Sequence, residues 1–228
     1  MDTFLAQPKQ TFVNLPLEKR ESIVRAAAAE FAEQGYQRAS LNSIVRRLGI
    51  SKGSLYQYFD NKEALFLHVF DHFTRQVKQQ VKTSVAGNGR DDFFVAARQV
   101  LLAGIAFIDN HPEYFQVYLK VLFERDVPRR EELVARVRLF SLEYFGPLAD
   151  RAMSQGVLRR DIPVAKVVFI LDAMLDRFLQ GYAQPYLDGG LALAGMPAER
   201  LHEEIDSMVA VLRTGLQPER QQDNALGK

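Results

Sequence analysis

Residues 40–59 read SLNSIVRRLGISKGSLYQYF, two short segments of helical pattern separated by a tight turn. Apolar residues recur at helical spacing in the first segment, at Leu41, Ile44, Val45 and Leu48. Gly49 follows them, and a glycine tolerates the left-handed conformation in which a helix stops and turns. Ser51 then stands as the N-cap of a second helix that runs to Tyr58. The stretch therefore predicts a helix-turn-helix.

The segments on either side carry their own helix-start patterns. Ser40 is placed as an N-cap whose hydroxyl accepts a free backbone N–H of the first helix. Asp60 and Glu63 have the spacing of a capping box and predict a longer helix, from Asn61 to about Val85. Pro16 suits the first turn of a helix that precedes the motif and ends at Gly35.

The second helix of the motif presents an unusual surface, since Leu55 and Phe59 point inward and the remaining side chains are polar-tipped. Such a helix suits a DNA groove, and Gly53 lets the backbone approach a phosphate closely. Lys62, in the first turn of the next helix, is within reach of a phosphate. The predicted DNA-binding residues are Ser40, Ser51, Lys52, Gly53, Ser54, Tyr56, Gln57, Tyr58 and Lys62.

Several of these positions also form an ordered motif. Its members are Gly35, Ser40, Ile44, Leu48-Gly49-Ile50-Ser51, Gly53, Leu55-Tyr56, Tyr58-Phe59 and Asn61-Lys62-Glu63-Ala64-Leu65. Together they resemble the DNA-binding domain of TetR-family transcriptional regulators. The resemblance covers about the first 65 to 80 residues. It implies a palindromic DNA operator, a homodimer and a C-terminal domain that receives a small ligand.

Composition narrows the class of protein further. The 228 residues are 47% apolar, which is enough for a globular core, and no 18-residue apolar run is free of charges. Residues 1–10 lack the apolar core of a signal peptide, so we expect a cytoplasmic protein without a membrane partner. The absence of cysteine excludes disulfides, thiol catalysis and cysteine–zinc sites.

The net charge of +1 conceals an asymmetry along the chain. Residues 1–90 hold 13 Lys and Arg against 8 Asp and Glu, whereas residues 91–228 hold 16 against 20. Attraction to nucleic acid is therefore predicted for the N-terminal part alone.

The breakers in the sequence predict an all-α fold of two functional parts. We expect a flexible arm at 1–15, a three-helix DNA-binding domain at 16–65, and a connecting helix and linker at 66–90. A helical bundle for ligand binding and dimerisation follows at 91–217, with a disordered tail at 218–228. Within the bundle, Pro147 is expected to kink or break a helix.

No pattern indicates catalysis or a cofactor. There is no Gly-rich phosphate loop after a strand and no Ser/His/Asp set. His68 and His72 are one helical turn apart, but no carboxylate completes a metal site. We therefore predict neither an enzyme nor a bound metal.

Aromatic residues are dense in the middle helices, where they can either fill the core or line an apolar pocket. Asp172 and Asp176 lie one turn apart on an otherwise apolar helix, so they need solvent, an arginine, an effector or an interface as partner. The predicted ligand-binding residues are Phe107, Tyr114, Tyr118, Arg138, Phe140, Tyr144, Asp172 and Asp176.

The last helix carries a stripe of apolar residues that we expect at a two-fold dimer interface. The stripe consists of Leu201, Ile205, Met208, Val209 and Leu212.

These features predict a transcriptional regulator, a repressor that a small apolar or amphipathic effector releases from a palindromic operator. The alternative is a helix-turn-helix protein whose C-terminal domain docks a protein partner and senses no small molecule. The sequence leaves open the effector, the operator and regulated genes, repression or activation, and the oligomeric state on DNA.

Overall fold

The computed structural model describes residues 5–84 and 92–218, and within them every regular element is a helix. The predicted all-α fold is confirmed. The helices are α1 (Gln10–Val13), α2 (Leu17–Arg38), α3 (Leu41–Leu48), α4 (Lys52–Tyr58), α5 (Lys62–Ser84), α6 (Phe93–Asn110), α7 (Pro112–Phe123), α8 (Arg130–Ser154), α9 (Val164–Ala183) and α10 (Ala198–Leu216), with a 3₁₀ turn at Pro185–Leu187. The end of the predicted connecting helix and linker, residues 85–90, and most of the predicted tail lie outside the described residues.

Packing divides the chain into two compact units. The N-terminal unit comprises residues 1–83 and 103–137, and the C-terminal unit comprises residues 84–102 and 138–228. Helices α6 and α8 each contribute residues to both units. The predicted boundaries between DNA-binding and ligand-binding parts stay predictions.

The helix-turn-helix forms as its local sequence predicts. Gly49 ends α3 in the left-handed conformation, with φ 66° and ψ 28°. The Ser51 hydroxyl caps α4 by accepting the backbone N–H of Ser54 at 3.1 Å. A sharp turn and an N-cap thus hold the two short helices in sequence.

Two of the predicted caps differ from expectation. Ser40 stands at the N-cap of α3, but its side chain makes no cap hydrogen bond; its backbone N–H instead donates to the buried Glu30 carboxylate at 2.9 Å. At the start of α5 the cap is Asn61, whose Oδ1 accepts the N–H of Ala64 at 2.8 Å. The expected Asp60–Glu63 capping box is therefore wrong, because Asn61 occupies the position next to the first helical residue.

Helix α2 passes through Gly35 with a non-helical conformation, φ 69° and ψ 171°. A Cβ there would lie 2.5 Å from a carboxylate oxygen of Glu124, at the end of α7. The positive φ is therefore what requires glycine at this position, since a side-chain carboxylate can move aside.

Residues 5–15 pack against the N-terminal unit and are not the flexible arm that their mixed polarity predicts. Leu5 is 6% and Phe12 is 3% exposed. The Phe12 ring lies 4.9 Å from the Phe59 ring and 5.1 Å from the His68 ring, centre to centre. Burial of these two apolar side chains provides a free energy that a free arm lacks.

The C-terminal unit contains α9 and α10 around an apolar core. Pro147 lies inside α8 without breaking it. Among the described helices, α6 is the one long and apolar enough to cross a membrane by length and composition, and half of it is buried. Arg98 on α6 pairs with Asp206 on α10 at 2.5 Å, which joins these two helices within the unit.

Candidate nucleic-acid interface

Helix α4 presents a polar face above two buried anchors. Leu55 is 2% and Tyr58 is 7% exposed, so these side chains fix the helix to the unit beneath it. The predicted DNA-binding residues on the opposite face are exposed, namely Ser51, Lys52, Gly53, Tyr56 and Gln57. Their donors can reach phosphates or base edges, whereas the buried Tyr58 ring packs against Phe12 at 6.1 Å.

The N-terminal turn of α4 is ordered by its own serines. The hydroxyls of Ser51 and Ser54 lie 2.9 Å apart, in addition to the cap bond from Ser54 N–H. Gly53 has no neighbour closer to a notional Cβ than the Ser51 hydroxyl, at 3.7 Å. The surface around Gly53 is therefore open to an approaching backbone.

The C-terminal turn of α4 is capped by the chain segment that includes α1. The Lys9 amino group donates to the Tyr56 carbonyl at 2.9 Å, and the Lys9 backbone N–H donates to the Tyr58 carbonyl at 2.9 Å. The Thr11 hydroxyl donates to the Gln57 carbonyl between them. Three carbonyls that a helix end leaves unsatisfied thus gain partners, and a cation lies where the helix dipole favours one.

Lys62 has a different role from the predicted phosphate contact. Its amino group lies 2.8, 3.1 and 3.3 Å from the carbonyls of Tyr36, Gln37 and Ala39. It also lies 4.6 Å from the centre of the Tyr36 ring. A lysine ammonium has three N–H donors, so the three carbonyls at the end of α2 occupy all of them and leave none for a phosphate.

Helix α3 supplies basic residues that the sequence reasoning did not select. Arg46 is exposed, and Arg47 makes a bidentate pair with Glu33 at 2.6 and 3.2 Å. This pair lowers the pKa of the Glu33 carboxyl through its hydrogen bond to Arg47. The exposed face of α3, opposite its apolar stripe, was the pattern that could have identified Arg46.

The predicted ligand-binding residues fall into two groups. In the C-terminal unit, Arg138 bridges the two acids, with 2.9 Å to Asp172 and 2.7 Å to Asp176. The Ser141 hydroxyl donates to Asp172 at 2.5 Å, and the Gln180 amide donates to Asp176 at 2.8 Å. An arginine on a neighbouring helix is thus the partner of both carboxylates.

Phe140 and Tyr144 belong to this same unit and are half-buried, with their rings stacked at 6.0 Å. In contrast, the predicted residues of the N-terminal unit are buried core aromatics. Phe73 packs against Phe107 at 5.8 Å and against Tyr118 at 5.9 Å. Burial raises the pKa of Tyr114 to about 12, with Glu113 adding to the shift.

The predicted dimer stripe on α10 faces the core of its own unit. Leu201, Ile205, Val209 and Leu212 are all 7% exposed or less, while Met208 is half-buried. Exposed apolar side chains lie on other faces, with Val211 on α10 at 71% and Phe169 on α9 at 72%. A stripe of apolar residues predicts burial, but it cannot tell an intramolecular core from an interface.

Known proteins with similar sequences include transcriptional repressors. A family model described as bacterial regulatory proteins of the tetR family matches residues 23–69. The probable acrEF/envCD operon repressor of Escherichia coli K12 is 22% identical over 73% of this chain and 76% of its own length. The HTH-type transcriptional repressor AcnR of Corynebacterium glutamicum is 24% identical over 87% of this chain and 94% of its own length.

A solved structure extends the similarity beyond the helix-turn-helix. The crystal structure of a TetR family transcriptional regulator from Chloroflexus aurantiacus J-10-FL is 27% identical and superposes with a TM-score of 0.71. The match covers 93% of this chain and 100% of the other.

Proposed function

Since this chain is a DNA-binding transcriptional regulator of the TetR family and not an enzyme, we propose that it is a homodimeric repressor of a palindromic operator. The observation that carries the proposal is the exposed polar face of α4. Buried Leu55 anchors this helix on its opposite side, and hydrogen bonds cap both of its ends. Two such helices in a dimer would enter successive major grooves, one turn of DNA apart.

On this face, we expect Tyr56 and Lys52 to contribute most of the affinity for operator DNA. Tyr56 is 42% exposed, so its hydroxyl is available to a phosphate. Lys52 is exposed in the first turn and would neutralise a phosphate. Phosphate contacts of this kind dominate affinity and make it fall steeply with salt.

Selection of the operator from random DNA, followed by titration of the variants, tests the proposal. Tyr56→Phe and Lys52→Met should each weaken operator binding by about 1–3 kcal/mol. Lys52→Met should also lower the salt dependence by roughly one phosphate contact. Arg151→Met, which changes an exposed residue of the C-terminal unit, is the control. If neither α4 variant changes affinity, the exposed face of α4 is not the DNA-binding surface.

We further propose that a small apolar or amphipathic effector binds in the C-terminal unit and releases the operator. The half-buried pair Phe140 and Tyr144 supports an apolar contact, and the Arg138 network with Asp172 and Asp176 supports a polar end. The effect on DNA affinity equals the preference of the effector for the non-binding state, typically about 1–3 kcal/mol.

A panel of lipids, acyl-thioesters, aromatics and cationic drugs tests the effector, with the melting temperature and operator affinity as readouts. Phe140→Ala should reduce the response while leaving operator affinity without effector unchanged. Leu142→Ala, on the same helix and 44% exposed, is the control. If no compound raises the melting temperature or shifts DNA binding, the effector proposal fails and a protein partner becomes the function to test.

A further inference from the structure

The N-terminal unit contains a cavity of about 620 Å³ that the proposed DNA-binding and effector functions do not use. Its walls are residues 7–13, the first two turns of α2 and residues 68–76 of α5. Phe12, Leu17 and Val24 form an apolar side, and Arg20, His68 and Arg75 are among the polar residues. The volume lies within the range of about 300–1,000 Å³ that is usual for small-molecule sites.

Two residues that line this cavity each hold a buried polar atom without a hydrogen-bond partner in the part of the chain that the structure describes, Arg20 Nε and His68 Nδ1. His68 is only 6% exposed, so its ring nitrogen is shielded from bulk water. Buried polar atoms are nearly always satisfied in folded proteins, and an unsatisfied one costs free energy. Arg20 Nε can only donate, so the missing partner is an acceptor.

The charges around the cavity favour an anion. Arg20 and Arg75 are cationic and Glu21 is the one acidic residue of the lining, so the arginines outnumber it. Burial, followed by the charge of Arg75, lowers the pKa of His68 to about 3 and that of His72 to about 4. Both imidazoles are therefore neutral at physiological pH and add no charge.

We propose that this cavity binds a small amphipathic carboxylate, with its oxygens accepting from Arg20 and His68 and its apolar body against Phe12 and Leu17. A planar guanidinium matches the two oxygens of a carboxylate better than it matches a neutral amide. The site lies in the N-terminal unit and is distinct from the effector site proposed for the C-terminal unit.

A ligand in this cavity would affect the DNA-binding face of α4 through the segment that caps this helix. Phe12 belongs to the same segment as Lys9 and Thr11, which cap the last turn of α4. A ligand that moves this segment changes the support of the exposed face at Tyr56 and Gln57. Binding is therefore coupled to the geometry of α4, by contacts that lie wholly within one unit.

The test uses 2-naphthoate as probe and 2-naphthamide as its neutral isostere, with the full chain and isothermal titration calorimetry. We expect one saturable naphthoate site per chain and at least about tenfold weaker binding of the amide. Arg20→Met should weaken naphthoate by about tenfold and abolish the preference for the anion. Arg25→Met changes an exposed arginine of the same helix outside the cavity and should leave binding unchanged.

Leu17→Trp provides a second, steric test, since Leu17 is 63% exposed and lines the cavity, so that a larger side chain there narrows the cavity without replacing a core residue. It should abolish naphthoate binding while circular dichroism and the melting temperature stay those of a folded protein. Amide shift mapping should place the naphthoate-dependent changes at residues 7–13 and at Gln57 and Tyr58. Operator affinity should change with naphthoate in wild type and not in Arg20→Met.

Three results overturn the proposal: no naphthoate binding, equal affinity for acid and amide, or binding that survives both Arg20→Met and Leu17→Trp. Shift changes confined to residues 92–102 and 138–218 would likewise assign the probe to the C-terminal unit. Operator affinity without any probe is measured in the same series, so failure of this site is separable from failure of DNA binding.

Discussion

Lys62 stands in the first turn of α5, and its amino group is directed at three carbonyls at the C-terminal end of α2. The carbonyl and the ring of Tyr36 both face this amino group, so Lys62 binds the end of α2 to α5. A role of this kind depends on residues 23 to 26 positions away in the chain. No spacing rule within the helix-turn-helix could have predicted it.

Lys62→Met should therefore lower the free energy of unfolding by about 1–3 kcal/mol, because the carbonyls at the end of α2 lose a charged donor. Urea denaturation monitored by circular dichroism measures the change. Lys52→Met is the matched control, since Lys52 is exposed and should stay within about 0.5 kcal/mol of wild type. Equal stability of the two variants would contradict this structural role and favour the phosphate contact that the sequence predicted for Lys62.

Gly49 and Ser51 show the opposite case, in which local chemistry is sufficient. The left-handed conformation of Gly49 and the cap at Ser51 each depend on residues within one turn. Such positions are predictable from sequence because the preference of the backbone itself decides them. At Ser40 the hydroxyl makes no cap hydrogen bond, and the backbone N–H donates to Glu30, ten residues earlier, a contact that no local pattern predicts.

At the scale of elements, α4 depends on a segment far from it in sequence. This seven-residue helix is too short to be stable alone, and α1 with its flanking residues satisfies its last carbonyls. The polar face of α4 is readable from sequence, whereas α1 has only four residues and no periodicity to detect. Its packing is decided by Phe12, whose partners come from α5 and the end of α4.

Phe12→Ala should destabilise the folded chain by about 3–5 kcal/mol, the usual range for truncation of a buried phenylalanine. Hydrogen exchange should show faster opening of residues 52–58, since the caps at Lys9 and Thr11 are loosened with it. Val13→Ala is the control, because Val13 is 45% exposed. Unchanged exchange in α4 of Phe12→Ala would show that the segment packs on α4 without supporting it.

At the scale of the whole molecule, buried histidines link stability to pH. The folded-state pKa values of His68 and His72 are lowered to about 3 and about 4 from 6.5, chiefly by burial. The unfolded chain therefore binds protons below pH 6.5 that the folded chain does not. The free energy of unfolding is therefore highest above pH 6.5 and decreases as the pH falls below that value.

The expected loss is about 1.4 kcal/mol per pH unit for each histidine, well below pH 6.5 and above its folded pKa. Urea denaturation at pH 7.5 and 5.5 measures it, and His68→Phe should reduce the difference between the two curves. Phenylalanine suits the site because the His68 ring already packs between Phe12 and Phe59. An identical acid loss in wild type and variant would contradict a neutral, buried His68.

The apolar stripe of α10 shows that apolar spacing alone does not identify the partner of a helix face. Apolar spacing selected Ile205 and its neighbours for the dimer, and they are buried within the unit. Their burial in one chain leaves a different face for the partner in the proposed homodimer, with Val211 on α10 and Phe169 and Ile170 on α9 exposed. Contiguous exposed apolar side chains mark interaction surfaces, and we therefore propose that these residues together form the two-fold contact.

Val211→Glu should therefore give folded monomers in sedimentation velocity, because a charge replaces a 71% exposed valine at the proposed two-fold contact. Val157→Glu is the matched control, since Val157 is 36% exposed in the loop after α8. Met208→Glu is a poorer test, because a half-buried residue confounds dissociation with unfolding.

A Val211→Glu variant that still sediments as a dimer would exclude this face of α10 from the interface. If it is monomeric, its affinity for a full palindrome should fall toward that for a half-site, since a monomer can place only one α4 in a major groove.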